Sequence, residues 1–167
     1  MLEPALLAAE EIAATVTDPE MPMLTLEDLG VLRSVSVEDD GTVVVTITPT
    51  YSGCPAMATM RDDLVHRLAD HGLRAVVRVS LTPAWSSDWI TSRGRQLLAQ
   101  HGISAPLAVP PRSGPVPISL RPLQRDLTCP RCGSDGVVLA SEFGPTACRA
   151  MYGCTDCLES FEHVKEI

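Results

Sequence analysis

The chain of 167 residues has few basic residues and no long apolar segment. Its 13 Lys and Arg stand against 21 Asp and Glu, so that the formal net charge is −8. Because nucleic-acid binding depends on clustered basic side chains, this balance argues against a nucleic-acid partner. No apolar run approaches the ~20 residues of a transmembrane helix, so no membrane span is expected.

The N-terminal segment lacks the basic region of a secretory signal peptide, and Glu10 and Glu11 interrupt its apolar stretch. We therefore expect a cytoplasmic protein, in which thiols stay reduced. The six cysteines are then expected to serve metal or sulfur chemistry rather than disulfides, although two disulfides remain an alternative.

Four cysteines near the C-terminus form two Cys-x-x-Cys pairs. They are Cys129, Cys132, Cys154 and Cys157. Each pair directs two thiolates to one point, and two pairs complete a tetrahedral sulfur site. The spacing therefore predicts a C-terminal zinc ribbon that holds a structural Zn²⁺.

Details of this ribbon leave alternatives open. Gly133 supplies a permissive φ after the first pair, whereas Leu158 takes that position after the second. Cys148 could compete as a fifth sulfur, and His163 is an alternative ligand. The Cys-Pro-x-Cys-Gly turn also suits a rubredoxin-like iron centre.

The ribbon segment is acidic. From Thr128 onward it has three basic and six acidic residues: Arg131, Arg149, Lys165, Asp135, Glu142, Asp156, Glu159, Glu162 and Glu166. Four thiolates on one Zn²⁺ would add two negative charges. We therefore expect the ribbon to bind a protein partner and not phosphates.

The rest of the chain shows the periodicity of a small α/β (α+β) sandwich. The predicted order is helix, strand, strand, helix, strand and helix, over residues 2–16, 31–37, 42–48, 55–71, 75–81 and 86–100. Trp85 and Trp89 are expected to anchor the last helix by packing.

Composition divides the chain into three parts. Residues 1–102 form the α/β domain, residues 103–127 a proline-rich linker, and residues 128–167 the ribbon. The ribbon has little core of its own, so metal binding is expected to supply much of its folding energy.

Cys54 is a second candidate site, where a strand ends and a helix begins. With Pro55 as the first helical residue, its thiolate would meet unpaired N–H groups, and Thr50 and Ser52 would add hydroxyl donors. No His lies near in sequence to activate it, which argues against ordinary nucleophilic catalysis. The alternative is a small cysteine buried in a turn.

Asp18 precedes Pro19, in a loop where two roles are open. Its carboxylate would orient the loop through an Asx-type bond to the backbone. Alternatively, it would lie across from Cys54 and share a metal or cluster edge.

Three segments carry a resemblance to a known family. They are Asp18-Pro19-Glu20-Met21-Pro22, Leu26-Glu27-Asp28-Leu29-Gly30 and Thr50-Tyr51-Ser52-Gly53-Cys54-Pro55. In this order they resemble the small iron–sulfur cluster assembly (metal–sulfur cluster biosynthetic) family, over about Leu6 to Gly102. The resemblance places the family's reactive cysteine at Cys54 and its acidic loop at Asp18 and Glu20.

The C-terminal half of the chain restricts the resemblance to one group of proteins. The segment from Ser141 to Cys148, together with Cys154-Thr-Asp-Cys157 and Phe161-Glu-His163, is similar to the PaaD-like proteins of phenylacetate catabolism. These proteins, also labelled PaaJ, are named as a phenylacetyl-CoA epoxidase (ring 1,2-monooxygenase) subunit.

This resemblance implies a non-catalytic maturation factor. Its expected partners are the phenylacetyl-CoA epoxidase components, above all the reductase, which carries flavin and an iron–sulfur cluster. A transient iron ion or cluster would be held at Cys54, with Thr50 nearby, and a homodimer would contribute two such thiolates. The alternatives are a stoichiometric structural subunit of the oxygenase and a rubredoxin-like electron carrier.

Overall fold

The computed structural model describes residues 2–108 and 125–167. The chain divides into two compact units, Met1–Leu97 with Ile167, and Leu98–Glu166. Residues 109–124, most of the predicted linker, lie outside the described residues. The domain boundaries after residues 102 and 127 therefore stay predictions.

The first unit has the predicted mixed α/β class and element order. Its elements are α1 (Leu2–Ala14), β1 (Leu32–Val37), β2 (Val43–Ile47), α2 (Met57–Asp70), β3 (Ala75–Val79), a 3-10 turn (Ser87–Trp89) and α3 (Ser92–Gln100), of which the last three residues are counted in the second unit. The first helix and the third strand each end two residues earlier than predicted.

Strand β2 is the centre of the first sheet. It pairs antiparallel with β1 and parallel with β3, in the order β1-β2-β3. Val43, Val45 and Ile47 alternate along it and are fully buried, as expected where helices cover one face of a sheet. Helix α1 contacts β1, β2 and α2, whereas α2 contacts β3.

The predicted single helix over 86–100 is wrong in its first third. Ser86 accepts a hydrogen bond from the N–H of Asp88 at 3.3 Å, which favours a short 3-10 turn. Ile90 is extended, and α3 begins only at Ser92. Trp85 is buried and donates from Nε1 to the carbonyl of Leu29 at 2.9 Å.

Asp28 ties distant parts of the first unit together. Its buried carboxylate accepts hydrogen bonds from Thr25 Oγ1 at 3.0 Å, Thr91 Oγ1 at 2.9 Å and Arg93 Nη1 at 2.9 Å. Gly94 lets the start of α3 pack closely against the backbone of Asp28, because a Cβ at residue 94 would lie 2.8 Å from the carbonyl oxygen of Asp28. Asp28 thus holds its own loop, which follows the acidic loop of Asp18 and Glu20, against the residues that lead into α3.

The second unit contains an antiparallel sheet in the order β4-β5-β6. Its strands are β4 (Val137–Ser141), β5 (Arg149–Cys154) and β6 (Ser160–Val164). The sequence predicts ribbon strands over residues 137–141 and 149–153; β4 has the first of these bounds and β5 ends one residue later than the second, whereas β6 is not predicted. A small core holds the sheet; its buried members are Leu127, Cys129, Ala150, Tyr152, Cys154 and Phe161.

Candidate functional site

The four cysteines of the two Cys-x-x-Cys pairs converge on one point. The Sγ atoms of Cys129, Cys132, Cys154 and Cys157 all lie within 4.8 Å of one another. Cys129 and Cys157 are 3.7 Å apart, and Cys132 and Cys154 are 3.6 Å apart. Each distance joins one cysteine of the first pair to one of the second.

This donor set fits a tetrahedral metal ion. A Zn–S bond of about 2.3 Å gives neighbouring sulfurs about 3.8 Å apart in a tetrahedron. The two short distances between the pairs, 3.7 and 3.6 Å, agree with that edge length. All six cysteines lie within the described residues and none of them forms a disulfide. The four thiols could therefore hold a metal ion of the zinc or iron type.

The first cysteine of each pair has a lowered pKa, which favours the thiolate form. Hydrogen bonds from the N–H groups of Cys132 and Arg131 lower the pKa of Cys129. Those of Cys157 and Asp156 lower the pKa of Cys154 to about 7. Turns that direct backbone N–H groups at sulfur thus favour the ligand form before any cation is bound.

The second cysteine of each pair has a raised pKa instead. The N–H groups of Ser134 and Glu159 act to lower the pKa of Cys132 and Cys157, but desolvation and the neighbouring sulfurs outweigh them. As a result the pKa of Cys132 is raised, and that of Cys157 is raised to about 12. Four thiolates this close together repel one another, and a cation bound between them would compensate their negative charge.

Contacts between the two cysteine turns brace the site. Ser134 Oγ donates a hydrogen bond to Asp156 Oδ2, and Thr155 donates to the carbonyl of Gly136 from its N–H at 2.7 Å and from its Oγ1 at 2.9 Å. A Cβ at Gly136 would lie 2.5 Å from Thr155 Oγ1. A side chain at this position would therefore displace the Thr155 hydroxyl and its hydrogen bond between the two turns.

The two cysteine turns end in the same left-handed conformation with different residues. Gly133 has a φ of 76°, as predicted, and its N–H donates to the carbonyl of Cys129 at 2.8 Å. Leu158 has a φ of 60° and is 83% exposed. A leucine in this region costs roughly 1 kcal/mol relative to glycine.

The two alternative ligands have other contacts. Cys148 is buried outside the group of four, with its Sγ 3.2 Å from Thr146 Oγ1. His163 is fully buried, and both its ring nitrogens are engaged, Nδ1 by Ser104 Oγ at 3.0 Å and Nε2 by Glu166 Oε1 at 2.9 Å.

Glu166 lies in a partly buried network of the second unit. Besides His163, its carboxylate accepts hydrogen bonds from the N–H of Leu107 at 3.1 Å and from Arg125 Nε at 2.8 Å. Arg125 also donates to Tyr152 and Glu142. Although burial opposes ionisation, the hydrogen bonds from His163, Leu107 and Arg125 lower the pKa of Glu166 to about 2.

Replacement of Glu166 by Gln is expected to lower the free energy of unfolding by about 2 kcal/mol at pH 7, because Arg125 loses a charged partner. A lowered folded-state pKa stabilises the fold above the unfolded value of about 4.5, and this stabilisation is lost as the pH falls toward 2. The measurement is guanidinium unfolding followed by circular dichroism, with metal occupancy determined at each pH.

The exposed Glu159→Gln is the matched control and should leave stability unchanged. Equal stability of the Glu166→Gln variant and the unmodified protein at pH 7 would contradict the role of the network.

The turn around Cys54 is longer than the sequence predicts, because α2 begins two residues later than expected. Helix α2 begins at Met57 after the N-cap residue Ala56, so Pro55 lies before the helix and is not its first residue. The N–H of Cys54 donates to the carbonyl of Tyr51 at 3.2 Å, and that of Met57 donates to the carbonyl of Cys54 at 3.4 Å. The half-buried thiol therefore belongs to a tight turn that leads into α2.

The acidic loop is shaped by Asp18. Its Oδ1 accepts hydrogen bonds from the N–H groups of Glu20 and Met21, both at 2.8 Å, and the residue is 7% exposed. This is the Asx-type geometry that the sequence suggested. Glu20 is exposed, and Thr50 is half-buried in the bend after β2. The assignment of these residues and Cys54 to one transfer site stays a prediction.

Among the helices of the described residues, none combines the length and the apolar character that crossing a membrane requires.

Two family models match the chain. The model described as an iron-sulfur cluster assembly protein matches residues 9–81, and the PaaD zinc beta ribbon domain matches residues 113–165. The fold of the first unit agrees, because a domain of unknown function (DUF59) from Bacillus anthracis superposes on 58% of this chain and 93% of its own, with a TM-score of 0.54 at 23% identity.

Two curated proteins are similar in sequence. A protein of Escherichia coli (strain K12), named as a putative 1,2-phenylacetyl-CoA epoxidase subunit, is 39% identical over 92% of this chain and 88% of its own length. A "Fe-S protein maturation auxiliary factor" of Porphyromonas gingivalis (strain ATCC BAA-308 / W83) is 37% identical over 46% of this chain and 74% of its own. The chain therefore belongs to the PaaD-like family, in which an iron–sulfur cluster assembly domain precedes a zinc beta ribbon.

Proposed function

We propose that this protein is a non-catalytic maturation factor for a phenylacetyl-CoA epoxidase system, which assists cluster assembly or insertion in the reductase component. The observation that carries the proposal is the 39% identity to the Escherichia coli protein over 92% of the chain. The iron–sulfur assembly domain within that span supports maturation over catalysis. The name of the Porphyromonas gingivalis protein supports the same role.

Cys54 is the proposed transfer site for an iron ion or a cluster. A transferred cluster needs a ligand that binds iron yet remains accessible, and Cys54 is a half-buried thiol in a turn. A single thiolate is a weaker anchor than a closed set of four, so it can release its cargo. Glu20 would present an exposed carboxylate, Asp18 would fix the loop that carries it, and Thr50 would border the thiol.

The ribbon is proposed to hold Zn²⁺ permanently. Its four sulfurs form a closed set that leaves no open coordination position, which is typical of structural zinc. Cys129 and Cys154 are buried, and they are the two sulfurs whose pKa is lowered. Zinc supplies charge compensation and folding energy here, and the chemistry is assigned to the first unit.

The test is the iron and acid-labile sulfide content of the reductase purified from a strain that lacks this protein. We expect a reductase largely depleted of its cluster, restored when the gene is supplied again. A reductase with a full cluster would contradict maturation. If the protein then co-purifies with the oxygenase at a fixed ratio, a structural role within the complex is favoured, as the name of the Escherichia coli relative suggests.

A further inference from the structure

The two edges of the ribbon sheet differ in how they are covered. At the β6 edge, Ser104 forms a parallel bridge with His163: its N–H donates to the carbonyl of Glu162 at 2.8 Å and its carbonyl accepts from Val164 at 3.0 Å. At the other edge lies β4, which pairs only with β5 within the described residues. One edge of the sheet therefore has a strand-like partner and the other has none there.

Strand β4 also lacks two features by which proteins usually protect an edge, a charged side chain and a proline. Its sequence, Val-Val-Leu-Ala-Ser, contains no charge and no proline. Val138 is 55% exposed and lies above Gly153, and Phe143, just after the strand, is 71% exposed. A β-bulge between Leu139 and Ser141 limits the regular part to the first three residues. An apolar edge of this kind is a template for a further strand.

The charges around β4 indicate what that strand would carry. Asp135 precedes β4 and Asp156 contacts Ser134 at the same end, whereas Glu142, which follows the strand, is paired with Arg125 at 3.2 Å. Among the described residues, no ion pair involves Asp135 or Asp156. Charge repulsion disfavours a second copy of a chain with net charge −8.

We propose that the β4 edge is a docking site for an extended segment of a partner protein in which apolar and basic residues alternate. The segment would add a fourth strand to the sheet. Its backbone would pair with β4, its apolar side chains would cover Val138, and its basic side chains would meet Asp135 and Asp156 at the end where β4 begins. This inference deepens the proposed function, on which it rests, by giving the client a binding surface.

The probe is a synthetic peptide of alternating valine and lysine, added to the full metal-loaded protein. We expect hydrogen exchange to slow on binding at the β4 amides that point away from β5, and the affinity to fall with added salt. A peptide with N-methylated backbone amides keeps the charges but cannot pair, and a peptide with glutamate in place of lysine keeps the pairing but reverses the charge. Both should bind at least about tenfold more weakly.

Val138→Lys is the disrupting variant, because a lysine on an edge strand opposes pairing and repels a basic segment. Its matched control is Val76→Lys, at a valine that is 48% exposed on β3, the edge strand of the other sheet. We expect about tenfold weaker peptide binding for Val138→Lys and no change for Val76→Lys. Val138→Thr, which keeps the β-branched shape, should show an intermediate loss, and metal content reports whether each ribbon is intact.

Four outcomes would overturn the proposal. If the β4 amides that point away from β5 are already protected without peptide, the chain itself covers this edge. Protection that grows with protein concentration would identify a second copy as the occupant. Equal binding of the N-methylated peptide would reduce the effect to charge attraction. Equal losses in both lysine variants would remove β4 as the site.

The peptide measurements need no client and no cluster. If they succeed while the reductase keeps its cluster without this protein, only the maturation role is wrong. If they fail while the reductase loses its cluster, the maturation role stands and the docking site is wrong.

Discussion

Replacement of Cys129 by Ser is expected to release the metal and unfold the ribbon sheet. Cys129 is buried in the small core of the second unit and is one of the four sulfurs that converge. Binding of structural zinc is worth about 10–16 kcal/mol in zinc-finger peptides, more than a core of this size supplies. Loss of one ligand should therefore remove the order of β4, β5 and β6 while leaving the first unit folded.

The measurement combines metal content by mass spectrometry with hydrogen exchange across the chain. We expect one zinc ion per chain in the unmodified protein and a substoichiometric content in the variant, with fast exchange confined to the ribbon. Addition of a strong chelator to the unmodified protein should reproduce the variant. A coloured protein with one iron ion would instead favour the rubredoxin-like centre.

Cys148→Ser is the matched control. It removes the same atom from a buried cysteine of the same unit, but one that contacts Thr146 and lies outside the group of four. We expect full metal content and a loss of stability of about 1 kcal/mol. If both variants lost the metal equally, Cys148 would have to take part in the site.

The metal site could be predicted because its signal is local. Two cysteines three positions apart already form a turn that directs both sulfurs to one point, so the convergence of Cys129 with Cys132 needs little of the remaining fold. The positive φ of Gly133 is equally local. The hairpin β1–β2 and helix α2 follow from short-range periodicity and turn residues, and they were also predicted.

The parts that were missed depend on distant residues. The partners of Asp28 in the third-helix region, Thr91 and Arg93, follow it by 63 and 65 positions, and no spacing rule connects them. Gly136 looks like an ordinary loop glycine until Thr155 approaches it from the other cysteine turn. Strand β6 was missed because it is short and carries two charged or ionisable residues, Glu162 and His163, and only pairing with β5 defines it.

Replacement of Cys54 by Ser is expected to abolish cluster delivery without altering the fold. Serine is nearly the same size as cysteine, and the N–H and the carbonyl of residue 54 can keep their hydrogen bonds to Tyr51 and Met57. The hydroxyl does not ionise at neutral pH and is a poor ligand for iron, so the proposed anchor is lost. The unfolding free energy should change by no more than about 0.5 kcal/mol.

Two measurements check this expectation. In a strain that carries only the Cys54→Ser protein, the iron and sulfide content of the reductase should fall to that of the strain without the protein. After anaerobic purification, the variant itself should carry less iron and acid-labile sulfide than the unmodified protein, with unchanged zinc. Cys148→Ser applies the same substitution outside both sites and should support full cluster content.

The comparison separates a transfer site from a structural cysteine. A reductase with a full cluster in the Cys54→Ser strain would show that the thiol is not needed, and delivery would then have to use another group. A variant that fails to fold would instead show that Cys54 is needed for packing of the turn. Unchanged thermal unfolding of the variant would exclude this packing role. Only loss of the cluster together with intact stability and intact zinc supports the proposal, because the turn is then preserved and the sulfur alone is missing.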